Sequence, residues 1–296
     1  MHRVASIVLI SLAGLGLYGL AEAVQDVRLV RYRVAVPGLA KPLRVVQLSD
    51  SHANWFNMPP VRMRRIVAAI NARHPDLVVL TGDYVTGLLV NRPRMQVSVA
   101  LAPFSLITAP LGVVAVPGNH DDPHLTRIFM ARGSVTLLAG STIDVGPIVL
   151  AGAESIATPP DPLGNLARAI ARVPPGKPVV ALAHEPYAFA TLPPRAAVLI
   201  AGHTHGGQIK LPIISARPAD AYLNAHLRGL YVEHGQTMIV SSGVGTSILP
   251  LRIGVPPEIV EIELVPVRAP PVRGVLPVPG AAAAVPAQSG PITSRR

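Results

Sequence analysis

The sequence predicts an α/β fold, and three observations carry that prediction. Short apolar runs alternate, through the first half of the chain, with stretches of helical spacing, the rhythm of strand and crossover helix. Five of the apolar runs stop at a polar block rich in Gly, His, Asp or Asn, and α/β sheets carry their chemistry at the carboxyl ends of strands. With 296 residues, 50% of them hydrophobic, the chain is long enough to bury a full core, as one large domain or two small ones.

Taken in order, residues 1–23 form an apolar leader. Arg3 opens it, and Val4 to Leu20 runs without a charge before Glu22. The run exceeds an ordinary signal core and approaches a membrane span, so an uncleaved N-terminal anchor is expected, with Ala21-Glu22-Ala23 as the competing cleavage site. Arg3 precedes the run, whereas Arg28, Arg31, Arg33, Lys41 and Arg44 follow it. Counted by the positive-inside rule the body faces the cytoplasm, against the exported reading of a signal sequence, and the membrane face stays open.

The folded body is expected over 24–265. Alternating basic and apolar residues over 27–36 read as a half-exposed strand. A buried strand over 43–48 comes next, then a helix over 60–72 whose apolar face holds Val61, Ile66, Val67 and Ile70. A buried strand over 76–80, a helix over 94–107 and a third buried strand over 112–116 complete the first half. Strands are expected in the second half at 148–151, 178–183, 197–201, 208–211, 229–232, 238–241 and 259–265. Residues 266–296, rich in Pro, Ala, Gly and Ser, read as a disordered tail.

Charge and cysteine content narrow the function. The net charge is +10, of which Arg268, Arg273, Arg295 and Arg296 place four in the tail; Arg3 and Glu22 cancel, leaving +6 on the body. That excess suits an anionic substrate or anionic headgroups and is too diffuse for a nucleic-acid footprint, so no nucleic-acid partner is expected. The chain has no cysteine, which excludes thiolate metal sites and a cysteine nucleophile. Any metal must be held by His, Asp, Asn or Glu.

The five strand-end blocks supply such groups: Asp50 and His52; Asp83; Asn119, His120 and Asp121; His184; and His203 with His205. Five of the ten histidines fall in them. Asp50, His52, Asp83, Asn119, His184, His203 and His205 are seven oxygen or imidazole donors. Seven is too many for one ion with an open position and suits two ions sharing a bridging carboxylate. His120 and Asp121, side by side, suit a His–carboxylate pair that stabilises charge or protonates a leaving group.

Asp50-Ser51-His52, Gly82-Asp83, Gly118-Asn119-His120-Asp121, His184 and Gly202-His203-Thr204-His205, in that order, resemble the calcineurin-like metallophosphoesterase superfamily across Leu43 to Val265. Gly206-Gly207-Gln208-Ile209, Ser242-Gly243-Val244-Gly245-Thr246-Ser247, Leu249-Pro250-Leu251-Arg252 and Pro256-Pro257-Glu258-Ile259 are similar to its membrane-associated bacterial branch of YkuE- and YaeI-like phosphodiesterases. The resemblance implies a four-layer α/β/β/α sandwich of two mixed β-sheets flanked by helices, with the site at the strand ends. It implies Asp50, His52 and His205 on a first ion, and Asn119, His184 and His203 on a second, with Asp83 bridging. His120 would be the catalytic histidine and Asp121 its partner. Two divalent ions (Mn, Fe or Zn) are the implied cofactors.

The implied reaction is hydrolysis of a phosphodiester or pyrophosphate bond by a monomer held at the membrane through its N-terminal segment. Some relatives in this branch act on UDP-2,3-diacylglucosamine in lipid A biosynthesis, which makes such a nucleotide-linked lipid a candidate substrate. A soluble-nucleotide phosphodiesterase or monoesterase is the alternative enzyme, and an inactive metal-holding anchored binding protein the alternative of another class. Arg252 is a candidate phosphate contact, since an arginine fork suits phosphate. His226 and His234 lie where substrate would enter and are read as structural, and His74 and His124 as surface residues.

Overall fold

The structure is a computed structural model that describes residues 2–85, 95–122, 135–158, 160–211, 221–267 and 290–291. Helix α1 (His2–Val24) leads into strands β1 (Arg28–Val36) and β2 (Leu43–Leu48), helix α2 (Pro60–Asn71) and strand β3 (Leu77–Leu80). Helix α3 (Val97–Leu101) precedes β4 (Val113–Ala115), β5 (Val135–Leu137), β6 (Ser141–Asp144) and β7 (Val149–Gly152). Helix α4 (Pro162–Ala171), β8 (Val179–Leu182), β9 (Ala196–Ala201), helix α5 (Ala221–Ala225), β10 (Gly229–Glu233), β11 (Gln236–Val240), β12 (Glu258–Pro266) and β13 (Gly290–Pro291) follow.

The period-2 alternation of side chains along a strand decides how these elements stack. In β2, β3 and β4, Val45, Val79 and Val114 point one way, and Val46, Val78 and Ala115 the other; both sets are buried. Strands buried on both faces need cover on both. The first set meets Leu150, Val180, Val198 and Ile239 of a second sheet. The second set lies under α2, which turns Met63, Ile66, Val67 and Ile70 inward at helical spacing. On the far face of the second sheet, Ala181, Leu199 and Met238 pack under Leu166 and Ile170 of α4. Helix, sheet, sheet, helix are thus the four layers that the sequence resemblance implies.

Both sheets are mixed. The first has the order β13-β1-β12-β2-β3-β4-β5 and the second β10-β11-β9-β8-β7-β6. β2, β3 and β4 run parallel, as do β8, β9 and β11. Their carboxyl ends deliver the polar blocks. Gln47 joins the two sheets behind these ends, donating from Nε2 to Thr81 Oγ1 (2.9 Å) and to the Ala201 carbonyl (2.7 Å). At the other side of the first sheet the parallel register of β1 and β12 places Arg28, Arg31 and Arg33 opposite Glu258, Glu261 and Glu263. Arg31–Glu261 and Arg33–Glu263 each close to 3.3 Å.

Several elements depart from expectation. The helix expected over 94–107 is α3 followed by a 3-10 turn, Ala102–Leu106, because Pro103 removes a donor and crowds the preceding turn. Arg94 lies outside the described residues. The strand expected over 208–211 reduces to one bridge, Ile209 to Ile253. Helix α4 was not expected, although Asp161 before Pro162 is a start signal, and its Oδ1 accepts from the Gly164 N–H at 3.0 Å. Of the tail expected over 266–296, Pro266 ends β12 and Gly290–Pro291 pairs antiparallel with Leu29 and Arg28. The remainder beyond Val267 lies outside the described residues.

Helix α1 is long and apolar enough, by length and composition, to cross a membrane. Residues 3–14 are exposed, while Gly19, Glu22 and Ala23 are buried against the body. The Arg252 N–H donates to the Gly19 carbonyl (3.0 Å) and the Gly254 N–H to Glu22 Oε2 (2.8 Å).

Candidate metal centre

Each block enters the site where a parallel strand stops and the backbone turns. Asp50, His52, Asp83, His203 and His205 all take left-handed φ values, between 41° and 74°. For non-glycine residues that conformation costs about 1–3 kcal/mol each, and such strain collects where a function holds it in place. Here cross-loop hydrogen bonds hold it: the Asp50 N–H donates to the Gly82 carbonyl (3.0 Å) and the His52 N–H to the Asp83 carbonyl (2.9 Å). Glycine supplies the room. A Cβ at Gly118 would collide with Asp83 Oδ1, and one at Gly202 with Ser49 Oγ.

The side chains so placed form two adjoining groups. In the first, His52 Nε2 and His205 Nε2 are 3.0 Å apart, with Asp50 Oδ1 3.5 Å from His205 Nε2. In the second, His184 Nε2 and His203 Nδ1 are 3.2 Å apart. Asn119 Oδ1 stands 3.2 Å and 3.1 Å from those two nitrogens. Asp83 Oδ2 touches both groups, 3.4 Å from His52 Nε2 and 3.2 Å from His184 Nε2. Its Oδ1 is occupied separately, accepting the His120 N–H at 3.0 Å. The structure therefore brings all seven expected donors together.

Protonation follows from burial. Burial pushes the His52 and His203 imidazoles down to about 4, and His205 well below its ordinary value, with His52 and the Arg252 guanidinium adding to the last shift. Burial acts to raise Asp83, yet the charge and hydrogen bond of His184, with His52 and His120, hold it well below the carboxylate range. His184 is drawn upward against its burial by that same carboxylate. His184 Nδ1 lies 2.7 Å from the Thr81 carbonyl, which places the Nδ1 proton there and leaves Nε2 facing the group, as second-shell carbonyls do for metal-ligating histidines. Converging imidazole nitrogens with carboxylate and amide oxygens suit borderline divalent cations. The residues present fit two such ions.

The remaining expected residues divide. His120 is exposed, its ring edge-on to His52 at 5.3 Å between centroids. Asp121 is buried and serves the backbone instead of His120: its carboxylate accepts the N–H groups of Asp83 (2.8 Å), Tyr84 (2.8 Å) and Gly118 (2.9 Å). Burial and the nearby Asp83 charge push it up to about 7. Arg252 corrects the sequence reading. It is fully buried, and its guanidinium donates to the carbonyls of Gly245, Val255, Ser242 and Gly243, so it presents nothing to a phosphate.

His226 packs between Tyr222 and Tyr231 and bonds Glu233 Oε1 at 2.8 Å. His234 and Gly235 both take positive φ (51° and 78°) in the two-residue turn between β10 and β11, a geometry such hairpins require. His74 is exposed, and His124 lies outside the described residues. Sequence reading missed Ser49, whose Oγ donates to Asp50 Oδ2 at 2.5 Å, and Gln47 and Thr81 behind the ligands. Their only signal was a polar residue inside or just after an apolar run.

A family model described as calcineurin-like phosphoesterase matches residues 43–207. An uncharacterized metallophosphoesterase of Helicobacter pylori (strain J99) is 30% identical over 238 residues, covering 77% of this chain and 61% of that relative. The chain therefore spans about three fifths of that relative's length. The uncharacterized metallophosphoesterase YkuE of Bacillus subtilis is 30% identical over 73% of this chain and 77% of its own length. Phosphodiesterase YaeI of Escherichia coli K12 is 29% identical, over 80% and 88% respectively. Among solved structures, a dimetal phosphatase from Danio rerio aligns with a TM-score of 0.40 and 15% identity over 69% of this chain and 88% of that one. The family match extends over more than half of the sequence, and this chain belongs to the calcineurin-like phosphoesterases.

Proposed function

We propose that this phosphoesterase hydrolyses a phosphodiester or pyrophosphate bond with two divalent ions while anchored to a membrane by α1. The observation that carries the reading is the Asp83 carboxylate: one oxygen, Oδ2, lies within 3.4 Å of a histidine in each donor group. Asp50, His52 and His205 would hold one ion, and Asn119, His184 and His203 the other, with Asp83 shared. Ions bound there supply Lewis acidity toward a phosphoryl oxygen and a nucleophilic water at neutral pH.

The chain's own residues do the rest. His120, exposed at the edge of the site, is placed to donate a proton to the leaving oxygen. Asp121 orients the turn that presents it, by gathering the N–H groups of Gly118, Asp83 and Tyr84. Beside His205, a cavity of about 300 Å³ lined by Gly206, Lys210, Arg228 and Tyr231 offers two cations to the non-reacting part of an anionic substrate. A nucleotide-linked lipid such as UDP-2,3-diacylglucosamine, as in lipid A biosynthesis, joins such an anionic portion to an acyl portion that the membrane holds. Relatives described as transmembrane proteins with a metallophosphoesterase domain, in Danio rerio and Bos taurus, support the anchor. The contacts of Gly19 and Glu22 with the body favour an uncleaved helix.

The test uses the full chain in detergent, stripped of metal and resupplied with manganese, with bis-p-nitrophenyl phosphate and p-nitrophenyl phosphate as substrates. Manganese-dependent turnover that Asp83→Asn abolishes supports the reading. Two bound ions without turnover of either ester, or of UDP-2,3-diacylglucosamine, would make the chain a metal-holding binding protein. Equal turnover of lipid-linked and soluble nucleotide esters would favour the soluble-nucleotide enzyme.

A further inference from the structure

Four large apolar side chains stand exposed beside the first donor group: Trp55 (51%), Phe56 (62%), Ile248 (60%) and Leu249 (45%). The loops that carry them are tied to each other and to the site. Asn57 Nδ2 donates to Thr246 Oγ1 (2.8 Å) and to the Pro250 carbonyl (3.2 Å). Asn54 Nδ2 donates to the His52 carbonyl (2.8 Å), and its Oδ1 accepts the N–H groups of Phe56 and Asn57. On the other loop, Gln208, three residues past His205, donates to the Ser247 and Leu249 carbonyls (3.0 and 3.1 Å) and accepts the Ser247 N–H (2.8 Å). The apolar tips are therefore displayed by a braced scaffold. A clustered apolar display of this kind marks an interaction surface.

The length of α1 identifies what covers it. Arg3–Val24 rises roughly 33 Å as a helix, close to the ~30 Å hydrocarbon thickness of a bilayer. The exposed part, residues 3–14, supplies only about 18 Å of that rise. Beyond it Leu17 and Tyr18 stay exposed, but Gly19 and Glu22 dock that end of the helix on the body at Arg252 and Gly254. A spanning α1 thus draws its docked end to the bilayer boundary, and with it the Ile248–Leu249 tip that precedes Arg252 in the chain. Tryptophan, with an apolar ring and one N–H donor, is suited to that boundary.

Resting on the reading of α1 as a membrane anchor, we propose that Trp55, Phe56, Ile248 and Leu249 dip into the lipid surface. This second contact sets the metal centre against the bilayer, where a phosphoester with a lipid end is presented. Trp55 is the only tryptophan in the chain, so its fluorescence reports the contact directly.

The experiment reconstitutes the full chain in phosphatidylcholine–phosphatidylglycerol vesicles, with plain or brominated acyl chains. The proposal expects loss of Trp55 emission in brominated vesicles, strongest with bromine near the headgroup. Phe56→Ser with Ile248→Ser should weaken that loss and leave bis-p-nitrophenyl phosphate turnover unchanged. Equal Trp55 emission in both vesicle types, with the protein still resistant to alkaline carbonate extraction, would overturn this contact and leave the anchor standing. Trp55 shielded from aqueous iodide yet untouched by brominated lipid would mean that protein covers the patch, and would equally overturn it. Release of the protein by carbonate would overturn the anchor and this contact together.

Discussion

Asp83 divides its two oxygens between different duties. Oδ1 accepts the His120 N–H, and Oδ2 is the atom common to both donor groups. Asp83→Asn removes the charge that both groups share. It should lower kcat by about 10²–10³-fold or more, and elemental analysis should show fewer than two ions retained. His120 belongs to neither donor group, so His120→Ala should retain both ions while kcat falls by about 10²–10⁴-fold, the usual worth of a positioned general acid. A raised KM with unchanged kcat would move His120 to substrate binding. Arg252 leads to a different expectation. Arg252→Met strips the donors from four buried carbonyls, and each orphaned group costs about 1–3 kcal/mol. Thermal denaturation should show the loss as a lower Tm, whatever the substrate.

The strands carry the clearest record of what sequence alone makes legible. β2 was readable to the residue, because five of its six residues are buried, with only Arg44 exposed, between Pro42 and Ser49, and β3, β4, β8 and β9 were readable within one. Their ends also told where the ligands converge, since each apolar run stopped at a residue with a lone pair to offer. β6 was not legible: Ser-Thr-Ile-Asp lies half open on the rim of its sheet, so burial imposed no pattern on it. The role of Arg252 was hidden for a related reason, as nothing local distinguishes a buried guanidinium from one that meets phosphate. Burial acts to raise Glu261, but the hydrogen bond and charge of Arg73 (2.7 Å), with Arg31 and Arg44, hold it below its ordinary value of 4.5. A carboxylate lowered on folding contributes stability above its unfolded pKa, and that contribution disappears as pH falls through the folded one. Glu261→Gln should therefore reduce Tm at neutral pH and leave it unchanged in acid below both values, which a pH series of melts would reveal.

For the whole molecule, the site and the scaffold share one stability. Five left-handed donor residues are held in place by the fold's own hydrogen bonds, so ions that bind only the folded chain should raise Tm by mass action. Chelation should lower it reversibly, and more in the wild type than in His205→Ala. The β1–β12 pairing has another consequence, for the order of synthesis. β1 leaves the ribosome directly behind α1, yet Arg31 meets Glu261 only 230 residues later. At about 5–20 residues per second, the strand waits for roughly ten to fifty seconds with no neighbour to pair with. The alternating Arg28, Arg31 and Arg33 are then its gatekeepers: like charges keep one nascent β1 from pairing with another until the acidic strand arrives.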